Sequence, residues 1–194
     1  ATAAERSVLS CISGENNHKF IFLRRSDDQM REVIAKGMFN GVLTVPKYRE
    51  MLQGFTHEKI VNKYILLQND DEAEICVGYI HNLNNTKGIS IENTDLIIFD
   101  EFVEPTRDKY KGGDSGIHEP ELLARLDETI NRLRENWLIL LGNFDSPTDP
   151  YVEYFGVPYG VNKWSDRKRG ILYEVDVSEA SKEMKLSTST GERW

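Results

Sequence analysis

Along this chain, short uninterrupted apolar runs alternate with stretches whose apolar residues recur at helical spacing. Phe20-Ile21-Phe22-Leu23 and Leu96-Ile97-Ile98-Phe99 are bounded by polar residues, the pattern of strands buried on both faces of a parallel sheet. Trp137 to Leu141 is another fully apolar strand, ending in Gly142-Asn143. Between the runs lie amphipathic helices. One is predicted from about Thr2 to Ser13, with Val8, Leu9 and Ile12 on one face, and closes at the turn Gly14 to Asn17. A second spans Asp28 to Phe39 on a stripe of Met30, Val33, Ile34 and Met38, and a short helical segment follows Pro46 through Tyr48, Met51 and Leu52. The clearest runs from about Glu121 to Arg134, with Leu122, Leu123, Leu126, Ile130 and Leu133 as its apolar face. Ile60 to Leu67 and Ile75 to His81 read as a hairpin joined by the acidic turn Asn69 to Glu72, and Ile171 to Val177 as a last strand. This alternation predicts an α/β fold: a mostly parallel twisted sheet flanked by helices, with the hairpin as an antiparallel edge or insertion.

Composition then narrows the class. A chain of 194 residues, 39% hydrophobic and 29% charged, builds one good core rather than two generous domains. No apolar run approaches the roughly 20 residues that span a bilayer, so no membrane role is expected. The two cysteines, Cys11 and Cys76, make no disulfide framework and suit a reducing cytoplasm. A net charge of −8 means that any contact with nucleic acid needs local basic patches, or a ring that gathers them in one channel.

Candidate chemistry sits where the second buried run stops, at Asp100-Glu101. Parallel sheets present their chemistry at the carboxyl ends of their strands. An acid pair there is similar to a Walker B motif, in which Asp100 would hold Mg²⁺, usually through water, and Glu101 would orient the attacking water. Acids also end strands for structural reasons, as caps and turn residues, so the motif alone leaves both readings open. Asn143 ends the next apolar run and could sense a γ-phosphate, or simply serve the strand-end turn Gly142-Asn143. Arg132 and Arg134 close the clearest helix. They suit its dipole, and they would equally suit an arginine finger aimed at a neighbouring subunit's nucleotide.

Six segments in this order carry a resemblance: Lys19 to Arg25 (KFIFLRR), Thr86-Lys87-Gly88, Leu96 to Val103 (LIIFDEFV), Asp127 to Glu135 (DETINRLRE), Leu140 to Asn143 (LLGN) and Asp149 to Pro158 (DPYVEYFGVP). Together they resemble the ATPase domains of DNA-packaging motors of small podoviruses (the phi29-like class), and more distantly the terminase large subunits among additional-strand P-loop ATPases. The resemblance implies Asp100 as the Mg²⁺-associated acid, Glu101 as the catalytic glutamate and Arg132 as the trans-acting finger, with Arg134 as its rival. It also implies a role between subunits for Lys87, and makes Asn143 the polar residue that ends the strand after Walker B. ATP would bind between subunits of a homomeric ring, pentameric in the family pattern. Hydrolysis would drive double-stranded DNA into a procapsid, with the portal and a packaging RNA as further partners. The location implied is the host cytoplasm, transiently at the portal vertex.

One departure counts against these matches: G-x-x-x-x-G-K-[ST] occurs nowhere in the chain. Without it, no loop of backbone N–H groups cradles the phosphates. Ala1 to Ala4 resembles the first turn of the helix that such a loop opens, so the loop is expected outside these residues and the 194 residues alone should hydrolyse ATP poorly or not at all. On this reading residues 1–178 form the ATPase core, and 179–194 a polar tail leading to a further domain.

For DNA, Arg107, Lys109 and Lys111 flank Tyr110 in the polar loop 104–120, whose Gly112 to Gly116 is expected to be mobile or ordered by a partner. Lys163, Arg167, Lys168 and Arg169 around Trp164 read as solvated charge. Two other classes stay open. A metal-dependent nuclease would add Asp145 or Asp149 to the acid pair. A non-catalytic ring-assembly module would be indifferent to Glu101→Gln.

Overall fold

The structure, a computed structural model, describes residues 19–43, 45–46, 50, 52, 54–85, 94–102, 111–112, 117–131, 136–142, 149–158, 160–168 and 170–175. The chain divides into two compact units, Ala1–Asn143 and Phe144–Trp194. The helix expected over Thr2 to Ser13 lies outside the described residues.

The first unit is built on strands β1 (Lys19–Arg24), β2 (Phe55–Val61), β3 (Tyr64–Asn69), β4 (Glu74–Asn82), β5 (Thr94–Asp100) and β8 (Trp137–Leu141). They form one six-stranded sheet in the order β2-β3-β4-β1-β5-β8. β4, β1, β5 and β8 run parallel, while β2 and β3 join antiparallel beside β4. The two apolar runs are the sheet's centre. Phe20 to Leu23 and Leu96 to Phe99 are all buried, as strands covered on both faces must be. β8 closes the sheet and is correspondingly half-covered, with Trp137 77% exposed.

Strand alternation sorts the core into two sides. Phe20, Phe22, Leu96, Ile98 and Ile80 form one cluster with Met30 of α1 (Asp27–Lys36), Leu43 of α2 (Asn40–Leu43), and Phe39 and Leu52. Phe39 meets Phe20 edge to face, with ring centroids 6.1 Å apart. Each such buried side chain contributes about 1.5–3 kcal/mol. Ile21, Leu23, Ile97 and Phe99 face the other side, where α3 (Glu119–Asn131) begins and buries Leu123, Leu126 and Ile130. Gly78 of β4 pairs with Phe20, and a Cβ there would come within 2.6 Å of the Phe20 carbonyl oxygen and 2.7 Å of its ring. Only glycine lets that ring lie across the strand pair.

Local chemistry explains where the elements depart from expectation. α1 starts at the Ser26 cap, whose hydroxyl accepts the Gln29 N–H, and carries Asp27 and Asp28 in its first turn. It stops at Gly37 (φ 74°) rather than at Phe39, because the Glu58 carboxylate of β2 accepts the Met38 and Phe39 N–H groups at 2.9 and 2.7 Å. The expected strand Ile60 to Leu67 is in fact two strands. Asn62 and Lys63, at φ 50° and 72°, turn β2 into β3 as a tight hairpin, and the Asn69 to Glu72 turn makes a second hairpin into β4. The antiparallel edge is therefore β2–β3, and β4 belongs to the parallel centre. Part of the polar loop before α3 is a small ribbon, β6 (Lys111–Gly112) with β7 (Ile117–His118). α3 begins at Glu119, two residues before the expected start.

The second unit holds α4 (Pro150–Phe155) and an antiparallel ribbon of β9 (Lys163–Asp166) and β10 (Ile171–Glu174). Asp149 caps α4 by accepting the Tyr151 N–H at 2.8 Å, and Gly156 ends it in the left-handed region. The last apolar run thus pairs with the basic segment, and Lys163 meets Glu174 at 3.2 Å.

Candidate functional site

The four parallel strands end along one edge of the sheet, at Asn82, Arg24, Asp100 and Leu141. The chain leaving β1 returns at β4 on one side, and the chain leaving β5 returns at β8 on the other. The crevice between the carboxyl ends of β1 and β5 is thus a topological switch point, the usual ligand position of an open α/β sheet. Asp100 and Glu101 lie there.

Register and alternation put Arg24 and Asp100 on the same face of neighbouring strands, beyond Phe22 and Ile98. The Arg24 guanidinium donates to Asp100 Oδ2 at 2.8 Å and meets Glu101 Oε2 at 2.6 Å, while its carbon lies 5.4 Å from the Phe22 ring centroid. One cation therefore bridges both acids. Burial raises the Asp100 pKa, an effect that Arg24 opposes and the neighbouring Glu101 charge reinforces. Glu101 is mostly exposed and has left φ for +59°, a conformation that costs a non-glycine residue on the order of 1 kcal/mol. Its carboxylate, 61% exposed, is held by Arg24 and open to water.

Arg25 does the opposite of Arg24. It is 5% exposed, and its Nε and Nη2 donate to the two oxygens of Glu119 at 2.6 and 2.8 Å. Nη2 also donates to the Phe102 carbonyl at 2.6 Å and Nη1 to the Glu101 carbonyl at 3.4 Å, with the Phe99 ring centroid 5.6 Å from the guanidinium carbon. The Phe102 N–H in turn donates to Leu141 of β8 at 3.1 Å. The backbone just after the acid pair is thus held from both sides. Further out, Asn82 donates to Asp27 Oδ1 at 3.2 Å and Asn84 to the Arg25 carbonyl at 3.1 Å, tying β4 and its short helical turn to the same edge.

Of the residues singled out from sequence, Asp100 and Glu101 are brought together with each other. Lys87, Arg132, Arg134 and Asn143 lie outside the described residues, as do Arg107, Lys109, Tyr110, Asp145 and Arg169. Asp149 is buried as a helix cap in the second unit. Among the described residues no three His, Cys, Asp or Glu side chains are grouped to hold a metal. Two carboxylates are nonetheless a fit for Mg²⁺, which keeps several waters and is commonly bound by one or two carboxylates plus substrate phosphates. Sequence reading missed the roles of Arg24 and Arg25. The only signal was two arginines directly after a fully buried run, where a charge is expensive without a partner.

No family model matches the chain, and no curated protein does. Solved structures do. The chain is similar to the N-terminal domain of the DNA packaging ATPase from bacteriophage phi29, with a TM-score of 0.64, 21% identity, 91% of this chain covered and 84% of that one. It is also similar to a chain of the bacteriophage phi29 genome packaging motor assembly (TM-score 0.57, 20% identity, 87% of this chain and 48% of that one). A third is the phi28 gp11 DNA packaging motor (TM-score 0.57, 16% identity, 98% of this chain and 56% of that one). The chain spans about half the length of these two motor proteins. The resemblance to phi29-like packaging ATPases is therefore borne out in the fold. Among the described residues no helix is long and apolar enough to cross a membrane.

Proposed function

We propose that this chain is the ATP-hydrolysing domain of a viral motor that packages double-stranded DNA, of the additional-strand P-loop type, with residues 1–178 as its core. The observation that carries the reading is the acid pair Asp100-Glu101 at the switch point of a fold shared with a packaging ATPase domain. Asp100 would hold Mg²⁺ through water, and the ion would supply charge neutralisation at the phosphoryl oxygens. Glu101 orients the attacking water, which requires its carboxylate to exchange Arg24 for that water. Arg24 then keeps Asp100 as its partner, so the exchange leaves no buried guanidinium without a carboxylate.

Arg132, or its rival Arg134, would arrive from a neighbouring subunit together with Lys87 to stabilise charge on the transferring phosphoryl group. Asn143 would report the γ-phosphate. The assembly is a homo-oligomeric ring, pentameric in the family pattern, acting on double-stranded DNA at the procapsid portal in the host cytoplasm, with a packaging RNA as a further partner. The phosphate-cradling loop is absent from this sequence, so the reading concerns the full-length protein. A nuclease would need a third acid, and among the described residues none joins the pair.

The test is ATP turnover by the full-length protein with and without double-stranded DNA. DNA-stimulated turnover should be lost in Glu101→Gln and in Arg132→Ala, and recovered in part when the two variants are mixed. Turnover indifferent to both substitutions, or cleavage of DNA without ATP, would send the assignment elsewhere.

A further inference from the structure

Arg25 is heavily engaged at this edge, and among the described residues its partners are Glu119 and two backbone carbonyls rather than the reacting carboxylates. Its guanidinium is buried, its fork is filled by the two Glu119 oxygens, and the two carbonyls it reaches are those of Glu101 and Phe102. Those carbonyls belong to the residue with the unusual φ of +59° and to the one after it. A left-handed glutamate at a strand end relaxes unless its surroundings over-determine it. Here Arg25 donates to both carbonyls on one side, and on the other the Phe102 N–H donates to the Leu141 carbonyl at the end of β8.

We infer that Arg25, locked by Glu119 at the first turn of α3, is the positioning residue for Glu101. It fixes the backbone from which the water-orienting carboxylate projects, and ties that backbone to α3. This rests on the hydrolysis reading above and adds to it a residue that acts only through Glu101. A second consequence is mechanical. α3 runs from Glu119 to Asn131 and Arg132 is the next residue in sequence, so the clamp links the carboxylate of one site to the helix that precedes the proposed finger in the chain.

A merely structural role makes a different prediction from a positioning one. Replacing a buried ion pair by apolar residues of similar volume is often neutral for stability, but it abolishes the hydrogen bonds to the two carbonyls. The experiment compares the full-length protein with Arg25→Met/Glu119→Leu, Arg25→Lys and Glu101→Gln, reading the unfolding midpoint, kcat and KM for ATP on each. The double variant should unfold near the wild-type midpoint, keep KM within about twofold, and lose about 10- to 100-fold in kcat, the scale of a misplaced catalytic group. Arg25→Lys keeps the charge opposite Glu119 but lacks the fork, so it should lose kcat in the same direction and carries the test if the double variant does not fold. Wild-type kcat in a folded double variant, or in Arg25→Lys, overturns the inference alone, provided Glu101→Gln is inactive. Turnover that survives Glu101→Gln overturns the hydrolysis reading and this inference with it.

Discussion

The two faces of the β1–β5 pair end in the same chemistry, an arginine meeting acids, arranged to opposite effect. On one face Arg24 reaches Asp100 and Glu101 at the crevice, with Glu101 61% exposed. On the other, Arg25 meets a Glu119 that is 1% exposed, and adds two backbone carbonyls. The two arginines are adjacent in the chain, and leaving the strand end sends one to each side of the sheet. Electrostatics then assign the jobs. A partly hydrated pair gains little net energy, so its partners can be exchanged for water or a ligand at small cost. A desolvated bidentate pair is costly to break, so it serves as a fixed point. A site that must both move a carboxylate and aim it needs one of each.

The largest effect that can break this comparison is on stability. Arg25→Ala removes the bidentate cation from a buried carboxylate and should cost about 3–5 kcal/mol, read as a lower urea midpoint. Arg24→Ala should cost less, because the acids it leaves unpaired, Asp100 and Glu101, are 28% and 61% exposed and can be hydrated. Equal losses would erase the distinction between the faces.

Next comes pH. His81 pairs with Leu23 in register, so it sits on the Arg25 side, and its Nδ1 has no hydrogen-bond partner among the described residues. Burial first, and then the Lys63 charge, lower its pKa to about 4. Between pH 6.5 and pH 4 the unfolded chain takes up a proton that the folded one refuses, so stability should fall as pH drops through that window. The full effect is on the order of 3 kcal/mol, and urea titrations of His81→Leu should lack it. The contrast is instructive: the Arg25 side tolerates a buried charge only where a carboxylate and carbonyls were built around it.

The smallest effect is at the β2–β3 turn. Lys63 adopts φ 72°, so Lys63→Gly should raise stability by a few tenths of a kcal/mol, measured as a urea midpoint. The same change removes a repelling charge from His81 and should raise its pKa towards the ordinary value, followed by NMR titration.

Much of the fold was legible because its centre is written in local pattern. The buried runs at Phe20 and Leu96 are the two inner parallel strands, and Leu123, Leu126 and Ile130 are the buried stripe of α3. The acid pair was legible for the same reason, since a buried strand has a definite end. What escaped was non-local or disguised. Nothing near Arg25 in sequence announces a partner 94 residues later. The Asn62-Lys63 turn lacks the glycine that marks such hairpins, so two strands read as one. Glu58 stops α1 from across the sheet, which no helix pattern records. Lys87 rested on resemblance alone, Arg132, Arg134 and Asn143 also on their places at a helix end and a strand end, and all four lie outside the described residues.

The most direct measurement is single-turnover ATP hydrolysis by the full-length protein and its Glu101→Gln variant, with ATP binding measured in parallel. Binding should be retained within severalfold and hydrolysis slowed by about 100-fold or more, because only the water-orienting carboxylate is changed. Equal hydrolysis rates in the two proteins would contradict this, and would leave the acid pair a strand-end turn held by Arg24.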